Sequence, residues 1–167
     1  MQKPENEAAR LRVLQELRIL DTPRERTFDD LAFLAAQVCD TPIALVTFVD
    51  GSRQWFKARV GLETTETPRD VAFCAHAILQ DDIFEVSDSH KDERFANNPL
   101  VTGHPDVRFY AGAPLITSDG FALGTVCAID HRPRELTPGQ RESLRALSRL
   151  IVAKLEQRSH SEESGNE

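Results

Sequence analysis

Phe109-Tyr110-Ala111-Gly112-Ala113-Pro114-Leu115-Ile116-Thr117 and Phe121-Ala122-Leu123-Gly124-Thr125-Val126-Cys127-Ala128-Ile129 are two apolar, β-prone runs separated by Ser118-Asp119-Gly120. An Asp-Gly step between such runs marks a tight reversal, because glycine takes the positive φ that the turn demands. A period of two sets Phe121, Leu123, Thr125, Cys127 and Ile129 on one face of the second run. Ala122, Gly124, Val126 and Ala128 fall on the other. Neither face is charged, so the strand is expected to be covered on both sides. Pro114 has no N–H to give a ladder, which points to a sheet edge or a bulge at that position. This hairpin is the expected spine of the fold.

The 167 residues suit one domain with a substantial core. The chain is 40% hydrophobic and 28% charged, and no apolar run reaches the roughly 18–20 residues that span a bilayer. The opening residues Met1 to Glu7 lack the apolar stretch of a signal peptide, so the expected location is cytoplasmic, with no membrane partner. A net charge of −7 argues against bulk phosphate binding, and no nucleic-acid partner is expected. Cys39, Cys74 and Cys127 are odd in number and far apart, without CxxC spacing, which suggests neither a disulfide framework nor a structural zinc site.

Outward from the hairpin, residues 5–20 read as a helix with Leu11, Leu14, Leu17 and Leu20 as its stripe, stopped by Asp21-Thr22-Pro23. Thr27 is placed to cap a second helix, with Asp30 in its first turn and Phe28, Leu31, Ala35 and Val38 as its buried face. Cys39 ends that stripe and reads as core. Residues 43–49 form a strand apolar on both faces, and Asp50-Gly51 turns it into a strand over 53–60. Alternation there sets Gln54, Phe56, Ala58 and Val60 opposite Trp55, Lys57 and Arg59. Residues 61–70 read as loop, 71–79 as a short helical stretch and 83–86 as a short strand. Residues 87–107 form a long irregular segment of the kind that often binds ligands, and embedded Phe95, Leu100 and Val101 imply that it is ordered. Thr137-Pro138-Gly139-Gln140 has the form of a helix start with a capping box. The helix that follows carries Leu144, Leu147, Ile151 and Leu155 and runs to about Arg158. The order gives an α+β fold: an antiparallel sheet of about five to six strands, with end helices on one face and the middle loops and short helix roofing a pocket on the other.

Ile19-Leu20-Asp21-Thr22-Pro23, Arg53-Gln54-Trp55-Phe56-Lys57, Arg69 to Ile78, Asp92-Glu93-Arg94-Phe95 and Phe109 to Leu115, taken in this order, resemble the GAF domains of bacterial signalling proteins. The resemblance covers a GAF domain over residues 8–158, leaving an N-terminal tail (1–7) and a C-terminal tail (159–167) that is too polar to fold alone and is expected to be disordered. It implies a PAS-like sheet, a small-molecule pocket, a homodimer formed through the terminal helices, and a histidine kinase, diguanylate cyclase or phosphodiesterase as output, in cis or in trans. The function it implies is that of a small-molecule sensor. A ligand-free dimerisation or docking module is the alternative, and free methionine-R-sulfoxide reductase, found among small GAF proteins, is a third reading.

The candidate ligand-binding residues are Trp55, Arg69, Cys74, His76, Asp88, Arg94, Phe95, Tyr110 and Thr125. Each has a structural alternative. Trp55, Phe95 and Tyr110 can line a pocket or fill the core; Arg69 can contact a ligand or join Asp70 in capping the next helix; and Asp88, Asp92 and Arg94 can hold a ligand or brace their loop. No catalytic residue or metal ligand is assigned, and the cofactor is left unknown. Some GAF photoreceptors carry a bilin on a cysteine followed directly by histidine, but here Ala75 separates Cys74 from His76, so a bilin is not expected. Haem would need the His76 imidazole directed into the pocket and is not expected either. A reductase needs a reachable thiolate and a resolving thiol, which Cys127, inside an apolar strand, fits poorly.

Overall fold

The computed structural model describes the backbone of residues 2–165 and the side chains of residues 2–159. Helices α1 (Glu7–Glu16) and α2 (Arg26–Cys39) lead into strands β1 (Ile43–Val49), β2 (Arg53–Val60) and β3 (Glu66–Pro68). A 3₁₀ turn (Arg69–Val71) and α3 (Cys74–Ala77) follow, then β4 (Phe84–Val86), a second 3₁₀ turn (Ser89–Lys91) and α4 (Pro99–Thr102). The central hairpin is β5 (Phe109–Ile116) and β6 (Ala122–Asp130), and α5 (Pro138–Gly165) closes the chain.

The six strands form one antiparallel sheet in the order β3-β2-β1-β6-β5-β4. Its centre is the β1–β6 pair, where neither face of either strand meets solvent. Behind it lie α1, α2 and α5, which bury Leu14, Phe28, Ala35, Leu144, Ile151 and Leu155 against Ala44, Val46, Phe48, Val126 and Ala128. On the other face Ile43, Leu45, Phe56, Cys127 and Ile129 meet Phe73, Phe95 and Val101 from the middle of the chain. Gly124 sits opposite Phe48. A Cβ there would fall 1.8 Å from the Thr47 carbonyl oxygen, so only glycine lets these two strands pair.

The α+β class, the antiparallel sheet and the split between end helices and middle segments agree with the sequence reading. The alternation does not hold throughout. Lys57 is an extra residue in the β1–β2 ladder, because Val46 pairs with Ala58 and Thr47 with Phe56. This β-bulge reverses the phase, so Trp55 joins Ala58 and Val60 on the helix face while Gln54 and Phe56 stay on the other. The β5–β6 ladder skips Leu123 in the same way, between Leu115–Gly124 and Ile116–Ala122, and turns it toward the helices.

Helix boundaries moved as well. α1 starts at Glu7, inside the expected tail, and stops at Glu16 because Arg18 adopts φ 52°, which lets Ile19 plug the core. α2 begins at Arg26 without the Thr27 cap. The residue before it, Glu25, has its carboxylate engaged by Lys57 at 2.6 Å and Arg158 at 3.2 Å, which ties the α1–α2 connection to the sheet and to α5. Cys39 is buried as expected, whereas Val38, expected on the buried face, is 38% exposed. The capping box of α5 forms as read: Thr137 N–H donates to Gln140 Oε1 at 2.9 Å, and Gln140 N–H to Thr137 Oγ1 at 3.1 Å. That helix runs past Arg158 to Gly165. No glycine or proline interrupts residues 159–164, and adding a turn to an existing helix costs little. The last two residues of the expected disordered tail lie outside the described residues.

Candidate ligand-binding site

The inward residues of four strands make a floor. Leu45 of β1, Phe56 of β2, Tyr110 of β5, and Cys127 and Ile129 of β6 face a cavity of about 100 Å³. Its roof comes from connections: Leu62 and Thr64 after β2, Thr67 of β3, Leu100 of α4, and His104, Pro105 and Val107 beyond it. Gln54 and Phe73 close the sides.

Phe73 also belongs to an aromatic column. It stacks on Phe95 with centroids 4.2 Å apart and planes within 10°, and on Tyr110 at 5.2 Å. The Arg94 guanidinium caps the outer end, 5.0 Å from the Phe84 ring and 5.4 Å from Phe95, an arrangement favoured by the ring quadrupole. Arg94 is held there by Asp92 at 2.7 Å, and its charge-assisted hydrogen bonds lower the Asp92 pKa. The His76 ring sits edge-on to Phe95 at 4.8 Å, and burial, aided by the Arg94 charge, lowers its pKa.

Beneath the cavity a set of neutral polar groups is buried. Tyr110 Oη lies 3.4 Å from Thr125 Oγ1, which lies 3.1 Å from Thr47 Oγ1. The Cys74 thiol donates to Gln54 Oε1, and Gln54 Nε2 donates to Thr67 Oγ1 at 2.9 Å. Gly112 makes room for the phenol: a Cβ there would lie 2.3 Å from Tyr110 Oη. Burial raises the pKa of the Tyr110 phenol and of the Cys74 thiol, and pushes Cys127 up to about 12 and Cys39 up to about 11. All three cysteines are therefore held as thiols, out of solvent.

Of the nine candidate residues only Tyr110 lines the cavity. Phe95, Arg94 and His76 stand behind Phe73 in the column, and Thr125 and Cys74 lie in the polar layer below. Trp55 is on the opposite face, as its alternation with Gln54 and Phe56 requires. Asp88 accepts from His90 N–H and pairs with Arg108 at 3.2 Å, bracing its loop. Arg69 is turned away toward the N-terminal helix, where it meets Glu7 at 2.5 Å and the Asp50 carbonyl at 3.1 Å. Arg10 binds the same carboxylate at 3.0 Å and the Val49 carbonyl at 2.8 Å, so two buried arginines clasp the end of β1 through Glu7. The cavity residues missed by the sequence reading are chiefly Gln54, Thr67 and His104. Gln54 carried a signal, a polar side chain sharing a strand face with Phe56; Thr67 and His104 lie in segments without periodicity. Among the described residues no group of three His, Cys, Asp or Glu is placed to hold a metal ion, and no helix is long and apolar enough to cross a membrane.

A cyclic di-GMP phosphodiesterase of Pseudomonas aeruginosa is 42% identical over 153 residues, 91% of this chain. The chain spans only 26% of that relative's length. The GAF domain of a phosphoenolpyruvate-protein phosphotransferase from Coxiella burnetii superposes with a TM-score of 0.68 at 14% identity, covering 97% of this chain and 98% of its own. Free methionine-R-sulfoxide reductase from Neisseria meningitidis, solved with its substrate, gives 0.65 at 15% identity, with 96% of each chain covered. Both likenesses concern the fold alone. The GAF domain pattern itself matches residues 23–155, from Pro23 just before α2 to the last buried leucine of α5, and the chain belongs to the GAF domain family.

Proposed function

We propose that this GAF domain is a sensory module: a small molecule occupies the cavity over the sheet and changes how the helices behind it associate in a homodimer. The observation that carries the reading is the cavity itself, an apolar space with a few neutral polar groups, roofed by chain connections. A ligand acts on such a dimer only through a difference in affinity between its two states.

The stripe of Leu144, Leu147, Ile151 and Leu155 on α5 is buried against the sheet and is not free for association. The outward apolar side chains are Phe33 (54% exposed), Leu34 and Val38 on α2 and Leu150 (56%) on α5, two helices in contact with each other. By analogy with the Pseudomonas relative, the output acted upon is an enzyme of cyclic di-GMP turnover, in cis or in trans. Catalysis by this chain's own thiols is not favoured, since all three are buried and protonated.

The small volume favours one rival, a ligand-free docking module whose Phe73–Tyr110 column fills most of the site. Native mass spectrometry of the freshly purified chain separates the two. A dimer carrying a reproducible small adduct, or one whose dissociation constant shifts when a ligand is added, supports the sensor. A dimer indifferent to every ligand supports the docking module. Phe33→Glu with Leu150→Glu is expected to give a folded monomer by light scattering and circular dichroism, and an unchanged dimer would refute the helix-mediated interface.

A further inference from the structure

The lining of the cavity contains no Asp, Glu, Lys or Arg among its fourteen residues. His104, the one histidine of the lining, is exposed at the rim. Charged groups do lie in neighbouring elements, and Arg59 of β2 pairs with Leu45 on the cavity side of the sheet, but none of them lines the cavity. Arg69 is bound to Glu7, Arg94 caps the aromatic column on the far side of Phe73, and Lys57 is behind the sheet with Glu25. A phosphate or carboxylate entering this space would lose its water and meet no cation, a cost that burial of apolar surface does not offset.

Size restricts the occupant further. A cavity of about 150 Å³ lined by aliphatic and aromatic side chains takes up benzene, and drug-sized ligands need about 300 Å³ or more. At about 100 Å³ this site suits a molecule of one ring or a short branched chain. Phe56, Phe73 and Tyr110 supply flat apolar walls, while Gln54, Thr67 and the Tyr110 phenol supply neutral donors and acceptors.

Resting on the sensory reading above, we infer that the site selects a small uncharged molecule, with an aromatic or branched apolar body and one neutral hydrogen-bonding group, and rejects nucleotides and other anions. A cyclic di-GMP phosphodiesterase output would then respond to a signal chemically unlike its own substrate.

Phenol, benzoate and cyclic di-GMP serve as probes for the full chain, read by backbone amide chemical shifts at pH 7. Phenol is expected to give saturable shifts at Gln54, Phe56, Tyr110 and Cys127 with millimolar or tighter affinity, and the two anions none there. Leu100→Phe, which adds bulk to the half-buried roof, should weaken phenol at least tenfold while its remaining spectrum stays native. Saturable binding of benzoate or cyclic di-GMP at those residues overturns the uncharged class and leaves the sensory reading standing. Failure of all three probes, together with absence of xenon-induced shifts at the same amides, overturns both.

Discussion

Replacing Glu7 by Gln tests the clasp between α1 and the sheet. The carboxylate is partly buried, which by itself disfavours its charge, but bidentate hydrogen bonds and the charges of Arg10 and Arg69 outweigh this and lower its pKa from 4.5 to about 2. At about 1.4 kcal/mol per pH unit, that difference corresponds to about 3 kcal/mol of folding stability. Glu7 is only 17% exposed and both guanidinium partners are buried, so solvent screening reduces this little. The variant also leaves two buried cations with carbonyl oxygens alone, and breaking a buried ion pair typically costs about 3–5 kcal/mol. Because the folded-state pKa lies below the unfolded value, the stabilisation is complete well above pH 4.5 and is lost as pH falls toward 2. About 2 kcal/mol of it should be gone by pH 3. Urea denaturation of both proteins from pH 7 down to pH 3 reads this directly. The expected result is a gap of about 3 kcal/mol at pH 7 that narrows steadily on acidification. A gap below about 0.5 kcal/mol at pH 7, or one unchanged across the range, would refute the clasp as a source of stability.

Two further outcomes follow from the packing. Gly112→Ala should destabilise by about 1–3 kcal/mol through overpacking against Tyr110, whereas Gly51→Ala, whose new methyl group meets nothing within 4 Å, should be near neutral in the same denaturation assay. A thiol-specific reagent such as dithionitrobenzoate should react negligibly with Cys39, Cys74 and Cys127 at pH 8 in the native protein and with all three in denaturant; rapid native reaction at Cys74 would reopen the reductase reading.

The sequence carried the architecture well because its strongest signals are repeated ones. β1 and β2 run over the residues expected of them, β5 and β6 close around Asp119-Gly120, and Thr137 to Gln140 form their reciprocal cap. The site was far less legible. Trp55 was marked as an aromatic able to line a pocket or fill the core, and its alternation with Gln54 and Phe56 puts it in the core on the helix face. His76 and Arg94 were marked for their chemistry, which the protein uses to hold an aromatic column together. Arg69 was marked for lying beside the short helix, and no local pattern shows that its partner is Glu7, sixty-two positions away. The roof residues Thr64, Thr67 and His104 come from segments whose placement depends on the finished sheet, so no periodicity could identify them.

The bulge in β2 also changes how that strand is to be counted. With Lys57 set aside, the remaining residues alternate strictly between the two sides of the sheet, so Lys57 behaves as an insertion into a regular strand. Its ammonium is 2.8 Å from Thr22 Oγ1, 2.5 Å from the Pro23 carbonyl and 2.6 Å from Glu25. The extra position thus gives the strand an anchor for the connection between the first two helices without moving any neighbour across the sheet. A residue-by-residue comparison that places a gap at 57 keeps both faces in register, whereas an ungapped one exchanges core for cavity from Phe56 backward.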